Sequence, residues 1–157
     1  GIAQALDLAR PVIAPGEKFA VLLGDNLFEE SLLPYRRMFE KQPDGAMVLL
    51  KKVDDPTRYG VPELDSETGK ILRIVEKPMH PPSSYCVTGI YFYDSEVFDI
   101  IDGIRPSDRG EMEITDVNNI YARQGRLRHA ELTGWWTDAG TFATLEEAGR
   151  RLKGILP

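Results

Sequence analysis

KFAVLLGDN, at residues 18–26, is an apolar run that ends abruptly in a glycine and a carboxylate. A short apolar segment without alternation predicts a strand that is covered on both faces, as in a parallel sheet. Ligands of such sheets gather at the carboxyl ends of the strands, so Asp25 is a candidate functional acid. The tripeptide Gly24-Asp25-Asn26 is also typical of a simple turn and helix cap, because all three residue types favour turns.

Length and composition indicate one globular domain over residues 1–157. Of these residues, 42% are hydrophobic and 28% are charged, and a chain of this length buries roughly two-thirds of its unfolded surface. With a formal net charge of -6 and no basic run, the sequence offers no electrostatic case for binding nucleic acid. The single Cys86 cannot form an internal disulfide, and no secretory signal or membrane-spanning apolar stretch is visible. We therefore expect a cytoplasmic protein that does not bind membranes.

Apolar spacing predicts helices at residues 2–10, 31–41, 94–101 and 114–123. In the second of these, the candidate core positions are Leu32, Leu33, Met38 and Phe39. Thr144 and Glu147 have capping-box spacing near the start of a final helix. A helix already under way at residue 2 is an unusual start for a natural chain, so we expect that an N-terminal portion is missing.

Strands are predicted at residues 46–53, 86–93 and 126–132. Two shorter strands, 61–64 and 70–76, flank a polar loop that ends in Gly69, which is a hairpin signal. The pattern predicts an α/β unit with an inserted antiparallel patch.

Several common catalytic motifs are absent from the sequence. It has no phosphate-binding G-x-x-x-x-G-K-[ST], no G-x-G-x-x-G, no H-E-x-x-H and no cysteine pair for zinc. His80 lies in a proline-rich loop and His129 in a predicted strand, and both are more simply explained as incidental. Cys86 lies in an apolar strand and is more simply packed than nucleophilic. Carboxylates and a few cations at strand ends remain as candidates.

Segments along nearly the whole chain resemble the successive motifs of the sugar-1-phosphate nucleotidyltransferases. They are Leu23-Gly24-Asp25-Asn26, Arg58-Tyr59-Gly60-Val61, Glu76-Lys77-Pro78, Val87-Thr88-Gly89-Ile90-Tyr91, Arg109-Gly110-Glu111-Met112-Glu113-Ile114-Thr115-Asp116 and Trp136-Thr137-Asp138-Ala139-Gly140-Thr141. No single segment is specific, but their order argues against coincidence. The resemblance implies a mixed, mainly parallel, Rossmann-like sheet flanked by helices, with the antiparallel patch binding the sugar.

The resemblance also implies the reaction. A nucleoside triphosphate and a hexose 1-phosphate would give a nucleoside diphosphate sugar and pyrophosphate, and members that use dTTP and glucose 1-phosphate match best. UTP or another sugar phosphate is an open alternative, because much of the base recognition would lie upstream. A noncatalytic sugar-nucleotide-binding module is a second alternative, because a fold alone does not establish an activity.

The residue types suit this chemistry. A sugar phosphate is largely dianionic at neutral pH and needs no general base, so catalysis would consist of positioning and charge stabilisation. Mg²⁺ is suited to this task when one or two carboxylates and the substrate phosphates hold it. By the resemblance, Asp25 and Asp138 are those carboxylates.

The resemblance assigns the sugar side as well. Glu76 would accept hydrogen bonds from hexose hydroxyls, Lys77 would contact the sugar phosphate, and Arg109 would supply a second phosphate contact. Further substrate contacts would come from Gly1, Asn26, Tyr59, Gly60, Val87, Tyr91 and Glu111. Taken alone, the pair Glu76-Lys77 is also typical of solvated charges at a strand end.

Two departures from the family pattern affect these expectations. Ala139 stands where threonine is frequent, which removes a hydroxyl beside Asp138. The glycine-rich basic loop that binds the triphosphate has no match in the chain. The resemblance therefore implies a portion that lacks the first strands and is inactive alone. Apolar surface left uncovered would favour a homo-oligomer.

Overall fold

The computed structural model describes residues 1–153. The elements are α1 (Ile2–Asp7), β1 (Lys18–Leu22), β2 (Asn26–Phe28), α2 (Leu33–Lys41), β3 (Ala46–Lys52), β4 (Gly60–Leu64), β5 (Ile71–Glu76), β6 (Tyr85–Asp94), α3 (Val97–Gly103), α4 (Ile114–Arg123), β7 (Leu127–Glu131), β8 (Trp136–Asp138) and α5 (Phe142–Leu152). Two short 3-10 turns occur at Arg10–Val12 and Pro56–Arg58. None of the helices in this described part is both long enough and apolar enough to span a lipid bilayer.

A four-stranded mixed sheet forms the centre of the molecule, with the strand order β1-β6-β3-β7. β6 pairs antiparallel with both β1 and β3, whereas β3 pairs parallel with β7. Strands β1, β3 and β7 therefore run in one direction and β6 runs in the other. This arrangement confirms the mixed sheet in which most strands share a direction.

Two small antiparallel ribbons flank the central sheet. β4 and β5 form the predicted hairpin. β2 and β8 form a second ribbon, which joins parts of the chain that are far apart in sequence. The second ribbon was not predicted, because its strands have three residues each and carry no periodic signal.

Both faces of the central sheet are covered at β3. Val48 packs with residues of α1, α3 and α4 on one face, while Met47 and Leu49 pack with Phe39 of α2 on the other. Successive side chains of a strand point to opposite faces, so the continuous apolar run of β3 is typical of a strand that is buried on both faces.

The prediction that residues 18–26 form such a doubly covered strand was wrong. β1 lies at the edge of the sheet, and Ala20 and Leu22 are exposed. The strand ends at Leu22, so Asp25 lies in the following turn. Apolar composition indicated a strand correctly but could not distinguish an edge position from a central one.

The other corrections concern boundaries and core positions. In α2, Tyr35 and Phe39 are buried one turn apart, whereas Leu33 is 45% and Met38 51% exposed. The opening helix ends at Asp7 rather than residue 10. The capping box of α5 is formed by Thr141 and Thr144 rather than by Thr144 and Glu147.

Asp94 is a buried carboxylate that ties the end of β6 to its neighbours. Its Oδ1 accepts a hydrogen bond from the Tyr121 hydroxyl at 2.9 Å, and its Oδ2 accepts one from the Gly45 amide at 2.5 Å. Gly45 has a φ of 93°, which favours glycine. This turn leads directly into β3.

Candidate active site

A cavity of about 210 Å³ lies where the central sheet, the β4–β5 hairpin and the β2–β8 ribbon meet. Its wall includes most of the residues that the sequence singled out: Asp25, Asn26, Tyr59, Gly60, Glu76, Lys77, Val87, Tyr91 and Asp138. The cavity is smaller than the roughly 300–1,000 Å³ of pockets that enclose drug-sized ligands. Its size suits one part of a ligand, such as a monosaccharide.

The two predicted metal acids lie near each other on the cavity wall. Asn26 pairs with Asp138 in the β2–β8 ribbon, and the Ala139 amide donates to the Asp25 carbonyl at 2.7 Å. A Cβ at Gly140 would lie 2.9 Å from Asp138 Oδ1 and 3.8 Å from Asp25 Oδ2. Both carboxylates therefore border the space that this glycine leaves open.

The two carboxylates suit a hard divalent cation that takes its remaining ligands from water and substrate. Within residues 1–153, no group of three or more His, Cys, Asp or Glu side chains is arranged to hold a metal. Mg²⁺ is commonly bound through one or two carboxylates together with water and substrate phosphates. Asp25 and Asp138 could contribute that pair of carboxylates.

Asn26 occupies a fixed position beside these acids. Its Nδ2 donates to Asp25 Oδ1 at 3.0 Å. Its Oδ1 accepts from the Gly89 amide at 2.7 Å and from Trp136 Nε1 at 2.8 Å. The carboxamide oxygen is thus fully engaged, and one Nδ2 hydrogen remains for the predicted substrate contact.

Glu76, at the end of β5, also lines the cavity. Its Oε2 accepts a hydrogen bond from Thr115 Oγ1 at 2.8 Å. Its Oε1 lies 3.9 Å from Lys77 Nζ and 3.8 Å from Arg109 Nη2. One carboxylate oxygen is therefore fixed by a hydroxyl, and the other faces two cations.

Lys77 has an unusual backbone conformation for a residue with a side chain, with a φ of 43°. Its amide donates to the Tyr59 carbonyl at 2.9 Å, which holds the turn after β5. Such strain costs on the order of 1–3 kcal/mol and tends to cluster at functional sites. The turn places Lys77 on the cavity wall.

Tyr59 and Tyr91 are both protonated at neutral pH. Burial, followed by the charge of Asp138, raises the pKa of Tyr59. Burial, followed by the charges of Glu76 and Asp25, raises the pKa of Tyr91. Both hydroxyls can therefore act as hydrogen-bond donors in the cavity.

Three predicted substrate contacts do not line this cavity. Arg109 lies in an adjoining hollow, where its Nη2 donates to Glu113 Oε1 at 2.8 Å. Burial alone would raise the pKa of Glu113, but hydrogen bonds from Ser107 and Arg109 hold it below its ordinary value. Gly1 and Glu111 also lie outside the cavity wall, and the roles of all three stay predictions.

The structure adds wall residues that the sequence did not assign. Thr115 and Asn118 are buried polar residues on α4, and Trp136 packs edge-on against Tyr59 with ring centroids 5.8 Å apart. The sequence did contain a signal for Thr115 and Asn118, because these two polar residues lie three positions apart on an otherwise apolar face of a predicted helix. Trp136 lies in a recognised motif, but nothing in the sequence showed which member faces the cavity.

The model of the nucleotidyl transferase family matches residues 1–154. The chain belongs to this family. A glucose-1-phosphate thymidylyltransferase of Xanthomonas campestris pv. campestris (strain B100) is 42% identical over 159 residues, which cover 99% of this chain and 53% of that protein. The chain thus spans about half the length of this curated relative of the family.

Solved structures of nucleotidyl transferases show the same fold. A Bacillus anthracis protein assigned as a glucose-1-phosphate thymidylyltransferase, solved with sucrose, is 50% identical with a TM-score of 0.88, over 96% of this chain and 60% of that one. A UDP-glucose pyrophosphorylase complexed with UDP-glucose also has a TM-score of 0.88, over 99% of this chain and 63% of that one, but is 24% identical. The second likeness concerns the fold alone.

Proposed function

We propose that this chain carries the metal and sugar-phosphate side of an enzyme that transfers a thymidylyl group from dTTP to glucose 1-phosphate, giving dTDP-glucose and pyrophosphate. The observation that supports this most is that one cavity is lined by Asp25 and Asp138 together with Glu76 and Lys77. The choice of dTTP and glucose 1-phosphate rests on relatives named for that reaction at 42% and 50% identity.

The reaction asks for positioning more than for proton transfer. A phosphate oxygen of glucose 1-phosphate would attack the α-phosphorus of the triphosphate, and the bond to the β-phosphate would break to release pyrophosphate. The sugar phosphate is largely dianionic at neutral pH and needs no base. Mg²⁺ held by Asp25 and Asp138 would stabilise the charge on the phosphate oxygens.

The sugar would lie against Glu76. Because Thr115 fixes one oxygen of Glu76, the carboxylate has a defined orientation from which it can accept hydrogen bonds from hexose hydroxyls. Lys77 Nζ is 3.9 Å from that carboxylate, so it could contact the phosphate of the same substrate. Tyr91 would donate to a further oxygen of the ligand.

We further propose that these 157 residues show little turnover by themselves. The described wall of the cavity contains the cations Lys77 and Arg58, together with four carboxylates, those of Asp25, Glu76, Glu113 and Asp138. Two cations are few for a bound triphosphate and a sugar phosphate together. Release of pyrophosphate at ordinary enzyme rates, on the order of 1–1,000 per second, would contradict this part of the proposal.

Uridylyl transfer by the same residues is the second candidate. The shared fold of the UDP-glucose pyrophosphorylase supports it, because the acids and the sugar side would serve either nucleotide. Comparing dTTP with UTP in a pyrophosphate-release assay of a longer protein that contains this chain would decide between the two nucleotides.

Binding of glucose 1-phosphate to the chain tests the sugar site directly. In a titration followed by NMR, we expect Glu76→Gln to weaken binding about tenfold, which is the loss of roughly 1.4 kcal/mol in charge-assisted hydrogen bonds. Glu63→Gln is the matched control, because Glu63 lies on the same hairpin in an exposed pair with Arg73. Equal affinities for the two variants would contradict the assignment.

A further inference from the structure

The turn that leads into β8 is held by side chains from other parts of the chain. Residues 132–135 join β7 to β8 without regular structure of their own. Backbone groups in such a turn need partners, and here the partners come from β3 and from the residues that follow β2.

Lys51 of β3 binds the carbonyl side of this turn. Its Nζ donates to the carbonyl oxygens of Leu132 at 3.0 Å, Thr133 at 3.3 Å and Gly134 at 2.6 Å. An ammonium group has three donors, so all of them are directed at three consecutive carbonyls. The neighbouring Lys52 is exposed.

Two glutamates bind the amide side of the same turn. Glu30 Oε1 accepts from the Gly134 amide at 2.6 Å, and Glu29 Oε1 accepts from the Trp135 amide at 2.8 Å. The Glu29 amide in turn donates to the Trp135 carbonyl at 3.2 Å. A Cβ at Gly134 would lie 3.2 Å from both Glu29 Cγ and Glu30 Oε1, so the close approach suits a glycine.

The position of this turn links it to the two acids. Residues 132–135 precede β8, which ends in Asp138, and the two glutamates follow β2, which begins after Asp25. The β2–β8 ribbon is a separate sheet, whereas β3 belongs to the central sheet. Lys51 therefore connects the ribbon that carries the acids to the sheet whose strand β6 carries Tyr91 to the cavity.

We propose that Lys51, Glu29 and Glu30 are positioning residues for the Asp25 and Asp138 carboxylates. Lys51 holds the turn before β8 against β3, and the two glutamates hold the same turn against the segment that follows β2. This inference rests on the proposed function, because it assigns the metal to those two acids. The three side chains act through backbone groups of residues 132–135 and contact no substrate.

Binding of Mn²⁺ to the 157-residue chain, followed by electron paramagnetic resonance, tests this proposal. We expect Lys51→Met to weaken Mn²⁺ binding about tenfold, the lower end of the effect of residues that orient metal ligands. Lys52→Met, the matched control on the same strand, should bind as the wild type does. Glu29→Ala should also weaken binding, and Glu29→Gln should restore it, because an amide oxygen can still accept from Trp135.

A second measurement keeps the two proposals separable. If the wild-type chain binds no Mn²⁺, or if Asp25→Asn binds it equally well, the proposed function fails, and amide exchange then decides the role of Lys51. Lys51→Met should speed exchange of the Ala139 amide about tenfold while the Ala46 amide of the central sheet keeps its rate. Unchanged Mn²⁺ affinity in Lys51→Met, with wild-type binding intact, would overturn the positioning role. An unchanged exchange rate of the Ala139 amide would show that Lys51 does not hold the ribbon in place.

Discussion

Replacement of Gly89 by alanine should displace the side chain of Asn26, which donates a hydrogen bond to Asp25. A Cβ at Gly89 would lie 2.7 Å from Asn26 Cγ, well inside van der Waals contact. The backbone of Gly89 is not at positive φ, so the added methyl group itself causes no backbone strain. The Asn26 carboxamide must therefore move, and its hydrogen bonds must break.

The hydrogen bonds that break set the size of the effect. The Gly89 amide and Trp136 Nε1 both donate to Asn26 Oδ1, and both residues are buried. A buried donor that loses its partner costs about 1–3 kcal/mol. We expect Gly89→Ala to lower the free energy of unfolding by about 2–4 kcal/mol, since water from the cavity can reach Trp136 and reduce the penalty.

Urea unfolding of Gly89→Ala, Asn26→Ala and the double variant measures how strongly the two positions are coupled. Asn26→Ala should cost a similar amount, because the same two donors lose the same acceptor. The double variant should cost little more than Asn26→Ala alone, since the alanine at position 89 then meets no carboxamide. The coupling energy is then nearly the whole cost of Gly89→Ala, about 2–4 kcal/mol, at the upper end of the range for residues in contact. A near-neutral Gly89→Ala, or losses that simply add, would refute the reasoning.

Three other outcomes follow from the described structure. Burial raises the pKa of the Cys86 thiol to about 12, so a thiol reagent at pH 8 should label it only after unfolding; rapid labelling of the folded chain would be inconsistent. Burial, then the charge of Glu113, raises the pKa of Asp116, so its protonated form stabilises the fold and that stability is lost as pH rises through the raised value. Asp116→Asn should thus raise the thermal midpoint at pH 7 and raise it less near pH 3.5. Equal increases at the two pH values would argue against a raised pKa of Asp116. Gly45→Ala should destabilise by at least about 2 kcal/mol, because φ is 93° and the new Cβ would crowd the Arg126 carbonyl. Gly149→Ala, in the open on α5, should instead stabilise by about 0.5–1 kcal/mol; a loss of stability there that equals the loss at Gly45 would remove the steric explanation.

The sequence predicted the elements that carry a periodic or compositional signal. The runs at β3 and β6, the hairpin around Gly69 and helix α4 all lie within a residue or two of their predicted places. The edge position of β1 could not be predicted, because an apolar run is the same whether one face or two are covered. In α2 the apolar residues outnumber the buried positions, so only packing selects Tyr35 and Phe39.

The candidate site was predictable as a set of motifs but not as a geometry. The family motifs assigned both Asp25 and Asp138 to the metal, whereas their proximity depends on the pairing of the three-residue strands β2 and β8. Thr115 supports Glu76 through a hydroxyl, a relation that no spacing shows. Arg109 was assigned to phosphate, yet its guanidinium is bound to Glu113, a partner that is defined only by the fold.

The shared metal at Asp25 and Asp138 is the central claim, and a double-substitution cycle in Mn²⁺ binding tests it most directly. Affinity would be measured by electron paramagnetic resonance, in the presence of glucose 1-phosphate, for the wild type, Asp25→Asn, Asp138→Asn and the double variant. Because both acids would hold one ion, each single substitution should weaken binding by at least about tenfold, and the double should lose far less than the sum of the two. Wild-type affinity in either single variant, or losses that add in full, would contradict the account and return Gly24-Asp25-Asn26 to a simple turn.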